Sequence, residues 1–208
     1  MNPRNQRVRT KICGITRADD ARAAAAAGVD AIGLVFVPKS RRCVSCDQAV
    51  AVCDALPPFV GRVGLFMDAD AAQVESVLER VGLDWLQFHG NESAAFCRQF
   101  RRPWIKALAM NAGQPASLLN DFAGAAALLL DSHAGGELGG TGQVFDWSRV
   151  PAMERPWILA GGLHPGNVAE ACQRLRPDAV DVSSGVETEP GIKDHTLMND
   201  FLKAVHDV

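Results

Sequence analysis

The sequence predicts an α/β chain closed into a single (β/α)8, or TIM, barrel, and three observations carry that reading. Eight short apolar runs alternate with amphipathic stretches along the 208-residue chain, spaced about 20–30 residues apart. Each amphipathic stretch opens on a capping residue or closes on glycine or proline, as helices between strands require. Short internal echoes fit a repeated unit: R-P-W-I-K-A at 102–107 returns as R-P-W-I-L-A at 155–160, and G-V-D-A-I at 28–32 resembles G-L-D-W-L at 82–86. A doubly wound open sheet is the alternative, but no G-x-G-x-x-G turn follows the first strand. No linker composition interrupts the pattern, so one domain is expected over residues 1–208.

The elements follow in order. A first strand at 8–13 ends on Cys13, after which Thr16-x-x-Asp19 resembles a capping box before an alanine-rich helix that Gly28 stops. A second strand at 31–37 leads into P-K-S-R-R, and Ser45 with Gln48 opens a helix that Pro57-Pro58 ends. Strand three at 61–66 precedes a helix capped by Asp70, and strand four at 84–88 one capped by Asn91. Strands five and six are read at 104–108 and 126–130, with Asp146 as a cap before W-S-R-V. Strand seven at 157–160 precedes a helix led by Asn167, strand eight spans 179–183, and a last helix runs from about Asp194.

Composition narrows the function. A formal net charge of -3 gives no electrostatic reason to expect nucleic acid or an anionic membrane as partner. The longest apolar run, around 125–130, is far short of the ~20 residues a membrane span needs. The polar, basic start has no apolar signal core, so a soluble, cytoplasmic protein is expected. Six scattered cysteines are too sparse for a disulfide scaffold. Cys43 and Cys46 have C-x-x-C spacing, but a closed zinc site needs four ligands and no second pair follows. No metal is therefore expected.

In a barrel of this kind the chemistry lies at the C-terminal ends of the strands. Strand one delivers Cys13 there, strand two Arg41 and Arg42, strand four His89, and strand six Asp131. Strand seven delivers Gly161-Gly162 and strand eight Ser183-Ser184-Gly185. The last two loops suit a phosphate, because glycine lets backbone N–H groups approach an anion and serine adds hydroxyl donors. Asp131, before the glycine-rich loop at 132–145, suits a general acid beneath a lid. Either arginine suits a carboxylate, and His89 suits a base, a stacking partner or a core position, among which sequence alone does not choose. Lys11 and Asp181 share faces with Cys13 and Ser183 on strands that adjoin when the barrel closes, so they are expected to pair.

At these residues the chain resembles the phosphoribosylanthranilate isomerases, barrel enzymes of tryptophan biosynthesis. The likeness runs from K-I-C-G-I-T through V-F-V-P-K-S-R-R, L-Q-F-H-G-N-E, L-L-L-D and G-G-T-G-Q-V-F-D-W to A-G-G-L-H-P-G-N-V, V-D-V-S-S-G-V-E and P-G-I-K-D. The resemblance implies an Amadori rearrangement of N-(5-phosphoribosyl)anthranilate without a cofactor. It implies Cys13 as general base and Asp131 as general acid, Arg42 on the substrate carboxylate, His89 near its ring, and Gly161, Gly162, Ser183 and Ser184 around the phosphate. Asp181 joins this set as a substrate-binding residue, and the partner is the small-molecule substrate. Cys43 stands where the family often has an aromatic residue, and the lid carries an extra H-A-G-G-E-L.

An ordinary thiol is mostly protonated at neutral pH, so Cys13 is expected to need the start of the first helix, or a nearby cation, to form a thiolate. A histidine-pathway Amadori enzyme would use paired aspartates, and an indole-forming synthase a catalytic lysine with glutamates. From a different class, the alternatives are a non-catalytic phosphate-ligand barrel and a redox or metal protein using Cys43 and Cys46. The sequence leaves monomer and homodimer open.

Overall fold

The computed structural model describes residues 7–110, 120–132 and 146–208. Parallel strands β1 (Arg9–Cys13), β2 (Ala31–Val35), β3 (Gly61–Phe66), β4 (Trp85–Phe88), β5 (Trp104–Ala109), β6 (Ala127–Asp131), β7 (Trp157–Leu159) and β8 (Ala179–Val182) pair in chain order. The last strand returns to the first, with Lys11 opposite Asp181 and Ile12 opposite Val182, and closes the barrel. Around it lie α1 (Ala18–Ala26), α2 (Cys46–Asp54), α3 (Ala71–Arg80), α4 (Ala94–Arg98), α5 (Val168–Leu175) and α6 (His195–His206). A small antiparallel hairpin, β9 (Glu187–Glu189) and β10 (Ile192–Lys193), follows β8. Among the described residues no helix is long and apolar enough to cross a membrane.

Side-chain alternation divides each strand between two environments. One parity, with Ile12, Ile32, Leu34, Phe66, Leu86, Phe88, Leu128, Leu130 and Leu159, packs outward against the helices. The other packs inward: Val63, Ile105, Ala107, Leu129, Ile158 and Ala160 fill the barrel, and Cys13, Val35 and Val37 cluster near its C-terminal mouth. Inward residues at the strand ends are therefore delivered to one rim.

Local chemistry explains most helix ends. Ser45 and Gln48 form the full capping box on α2, and Asp70 accepts from Gln73 N–H at the start of α3. Gly28, at φ +90°, ends α1 in a Schellman turn: its N–H donates to Ala25 O and that of Val29 to Ala24 O. Asp194 accepts from two N–H groups of α6, and Asp146 caps the short 3-10 turn Trp147–Arg149.

Three expectations shift. The N-cap of α1 is Arg17 without a side-chain cap, because Thr16 Oγ1 donates instead to Gly191 O in the β9–β10 turn. The cap of α4 is Ser93, which accepts from Phe96 N–H, while Asn91 turns back to Asp68 with its backbone N–H on Oδ1 and its side-chain amide on Oδ2. Asn167 does lead α5, but its side chain accepts from His164 N–H and donates to Gly162 O, bracing the loop after β7. The expected lid falls almost wholly on residues 133–145, outside the described residues.

At the opposite end of the barrel Asp30 ties the chain start to β2. It accepts from Thr10 N–H at 2.8 Å, Thr10 Oγ1 at 3.1 Å, and Arg7 and Arg9. Burial works against its charge, but the Arg7 and Thr10 hydrogen bonds outweigh burial and hold the carboxyl below its ordinary value. A carboxyl lowered on folding stabilises above its unfolded pKa, and that stability is lost as pH falls through the folded value. Asp30→Ala is expected to lose about 1–3 kcal/mol at neutral pH in denaturant unfolding, and the gap to the parent should close below roughly pH 4.

Candidate active site

The C-terminal mouth of the barrel opens into a cavity lined by nine of the residues that the sequence singles out, Cys13, Arg42, His89, Asp131, Gly161, Gly162, Asp181, Ser183 and Ser184, whereas Arg41, Gly185 and Lys11 are not part of its lining. Strand parity puts Cys13, Asp131 and Asp181 there, because each is an inward residue at or near a strand end. Cys13 on β1 and Asp131 on β6 are separated by β7 and β8, so they face the cavity from different sides.

Cys13 lies against Gly33, its register partner on β2. A Cβ at Gly33 would meet Cys13 Sγ at 2.7 Å and Lys11 Cε at 3.2 Å, so glycine is what lets both side chains share the barrel interior. Lys11 Nζ donates to Asp181 Oδ2 at 2.8 Å, as the strand adjacency predicts, and both side chains are buried. Burial opposes the ammonium charge, but Asp181 and then Cys13 raise it, and the net shift is upward.

Burial also pushes the Cys13 thiol up; Lys11 and Lys193 pull it down, Asp181 adds to the rise, and the net displacement is upward. The expected help from the first helix is not seen. Gly14 and Ile15 N–H both donate to Gly33 O, and α1 starts only at Ala18, so the lysines do the opposing.

Asp131 lies under the rim with Ser132 Oγ 3.3 Å from Oδ1 and His89 Nε2 3.4 Å from Oδ2. The other ring nitrogen of His89, Nδ1, is 3.1 Å from Gln87 Nε2. With the amide oriented so that Gln87 Nε2 donates to Nδ1, a neutral His89 carries its hydrogen on Nε2, on the side of Asp131. Asp181 Oδ1 and Gln87 Oε1 are buried and have no hydrogen-bond partner among the described residues. Both side chains contribute to the cavity lining.

Beyond β7, Gly161 and Gly162 sit at φ +85° and +65°, a conformation open to glycine. A side chain at Gly161 would strike the Ser132 backbone. Ser183 leads the 3-10 turn Ser184–Val186. Among the described residues the N–H groups of Gly162, Ser183 and Ser184 donate to no backbone carbonyl, and two glycine- and serine-rich turns side by side suit an anion.

Arg42 is held in a fork by Glu187, Nε to Oε1 at 2.8 Å and Nη2 to Oε2 at 2.6 Å. Lys193 Nζ binds the same carboxylate at 2.7 Å and Ser183 O at 3.1 Å. Sequence reasoning missed Glu187, Lys193 and Gln87. The first two stand inside quoted motifs, V-D-V-S-S-G-V-E and P-G-I-K-D, and Gln87 shares the strand parity of His89, which was the available signal. Among the described residues no group of three or more His, Cys, Asp or Glu is arranged to hold a metal, and Cys43 is exposed.

The family model described as N-(5'phosphoribosyl)anthranilate (PRA) isomerase matches residues 10–204. An N-(5'-phosphoribosyl)anthranilate isomerase of Pseudomonas fluorescens is 52% identical over 200 residues, 95% of this chain and 98% of that protein. The crystal structure of phosphoribosyl anthranilate isomerase from Thermus thermophilus aligns with a TM-score of 0.86 at 36% identity, over 96% of this chain and 99% of the other. A phosphoribosyl anthranilate isomerase in complex with reduced 1-(o-carboxyphenylamino)-1-deoxyribulose 5-phosphate aligns with a TM-score of 0.80 at 38% identity, over 97% and 100%.

If Lys11 is a chief counterweight to burial of the thiol, Lys11→Met should raise the Cys13 pKa further. Site-resolved mass spectrometry should then show Cys13 alkylated at pH 8 about tenfold more slowly than in the parent, whereas Cys43 should react unchanged.

Proposed function

The chain belongs to the N-(5'-phosphoribosyl)anthranilate isomerase family, and we propose that its reaction runs on Cys13 as general base and Asp131 as general acid. The substrate is N-(5'-phosphoribosyl)anthranilate, an aminoaldose phosphate, and the product the corresponding 1-deoxyribulose 5-phosphate, a step of tryptophan biosynthesis in the cytoplasm. The observation that carries the assignment is the convergence of one thiol and one carboxyl, from β1 and β6, on a cavity with an anion-suited rim.

Asp131 protonates the furanose ring oxygen, the ring opens, and the anthranilate nitrogen takes the positive charge of a Schiff base. The Cys13 thiolate removes the proton from C2, the electron pair moves toward the iminium, and the resulting enolamine tautomerises to the ketone. The rearrangement is redox-neutral overall, so acid–base groups suffice. Gly161, Gly162, Ser183 and Ser184 hold the phosphate, Arg42 the anthranilate carboxylate, and His89 flanks the aromatic ring. Asp181 Oδ1 accepts from a sugar hydroxyl. The ligand named in the related complex carries a phosphate, an aromatic ring and a carboxylate, which supports three separate subsites.

In a fluorescence assay of substrate consumption, Cys13→Ala and Asp131→Asn are each expected to lower kcat by about 10²–10⁴. Near-normal turnover by either folded variant would refute its role. Because the base must be deprotonated and burial holds Cys13 above the ordinary thiol value of 9.0, kcat/KM should still be rising with pH at pH 8. A plateau beginning near pH 6 would exclude a raised thiol as base.

A further inference from the structure

The Arg42–Glu187 fork poses an electrostatic problem for the carboxylate subsite. A guanidinium engaged bidentately by a carboxylate forms a neutral pair, and that carboxylate repels any second one brought to the same arginine. Lys193 is the third member of the cluster. Its side chain is fully buried, and its Nζ binds Glu187 Oε1, the oxygen that Arg42 Nε also binds. The fold holds it there twice over: its backbone N–H donates to the fully buried Asp20 Oδ2, and its ammonium donates to Ser183 O. Glu187 is lowered despite burial, first by the Arg42 hydrogen bonds and then by Lys193, so it stays a carboxylate. Burial lowers Lys193 and Glu187 opposes that lowering; with Lys193 and Arg42 both protonated, two cations share the Glu187 carboxylate and these three groups together carry a charge of +1.

We propose that Lys193 is a positioning residue for carboxylate recognition: by binding Glu187 it neutralises the anion that aims Arg42, so the fork keeps its orientation and its attraction for the substrate carboxylate. Glu187 fixes the guanidinium plane and Lys193 cancels the charge that this fixing introduces. Neither residue touches the substrate. The inference rests on Arg42 being the carboxylate ligand.

Calorimetric titration of the full chain with two ligands separates these claims. One ligand is reduced 1-(o-carboxyphenylamino)-1-deoxyribulose 5-phosphate, and the other is its phenylamino counterpart lacking the carboxylate. Lys193→Met should weaken the carboxylated ligand by about tenfold or more and leave the other within about twofold. The double variant Lys193→Met/Glu187→Gln, which restores a charge of +1, should recover most of the lost affinity. Equal losses on both ligands would mark Lys193 as purely structural and overturn the proposal, as would an unchanged preference in Lys193→Met. If Lys193→Met does not fold, the double variant decides alone: it must prefer the carboxylated ligand as the parent does. A parent protein that does not favour the carboxylated ligand would instead refute the Arg42 assignment.

Discussion

The barrel closes where β1 meets β8, and at that seam the inward pair Lys11–Asp181 forms an ion pair at 2.8 Å with both side chains buried. Two charges taken out of water are tolerated only when each satisfies the other, and removing one partner from such a pair costs about 3–5 kcal/mol. A slip of one residue in the β1–β8 register would turn one member of the pair outward among the core contacts of Ile12 and Val182 and leave the other charge buried alone. The same pair also sets the field of the site. Lys11 lies beside Cys13, and Asp181 keeps one buried oxygen without a hydrogen-bond partner among the described residues. Closure, register and site electrostatics therefore rest on one interaction.

Space for that interaction comes from what β2 lacks. With glycine at position 33, the lysine stem and the thiol fit side by side, whereas the inward positions of β3, β5, β6 and β7 carry the aliphatic residues that fill the barrel. The loop architecture continues the logic. Asn167, freed from capping, braces Gly162, and the β9–β10 hairpin carries Glu187 and Lys193 to Arg42. Site geometry is held by backbone braces and buried charges, so each polar side chain arrives in one orientation.

Much of this was legible in the chain. The eight strand positions, the Ser45–Gln48 box, the Gly28 stop and the Lys11–Asp181 pair follow from periodicity, capping chemistry and barrel adjacency. Where reading failed, a tertiary partner outbid a local one: Gly191 O drew Thr16 from its cap, and Asp68 drew the Asn91 N–H. The cysteines show the same division. Cys97 and Cys172 look like Cys13 in a sequence, yet they pack among the helices with burial pushing them up to about 12 and about 11, and neither lines the cavity.

The sequence by itself determined the strand order, the parity that turns Cys13, Asp131 and Asp181 inward, and the glycine and serine turns after β7 and β8. These depend on local periodicity and backbone freedom, which neighbouring residues specify. Tertiary structure alone decided that Glu187 forks Arg42, that Lys193 offsets it, that the Gln87 amide meets His89 Nδ1, and that the Cys13 thiol is raised rather than lowered. Those outcomes depend on distances and burial between residues 2 to 170 positions apart, and Coulomb energy and desolvation act through space, with no regard for sequence separation.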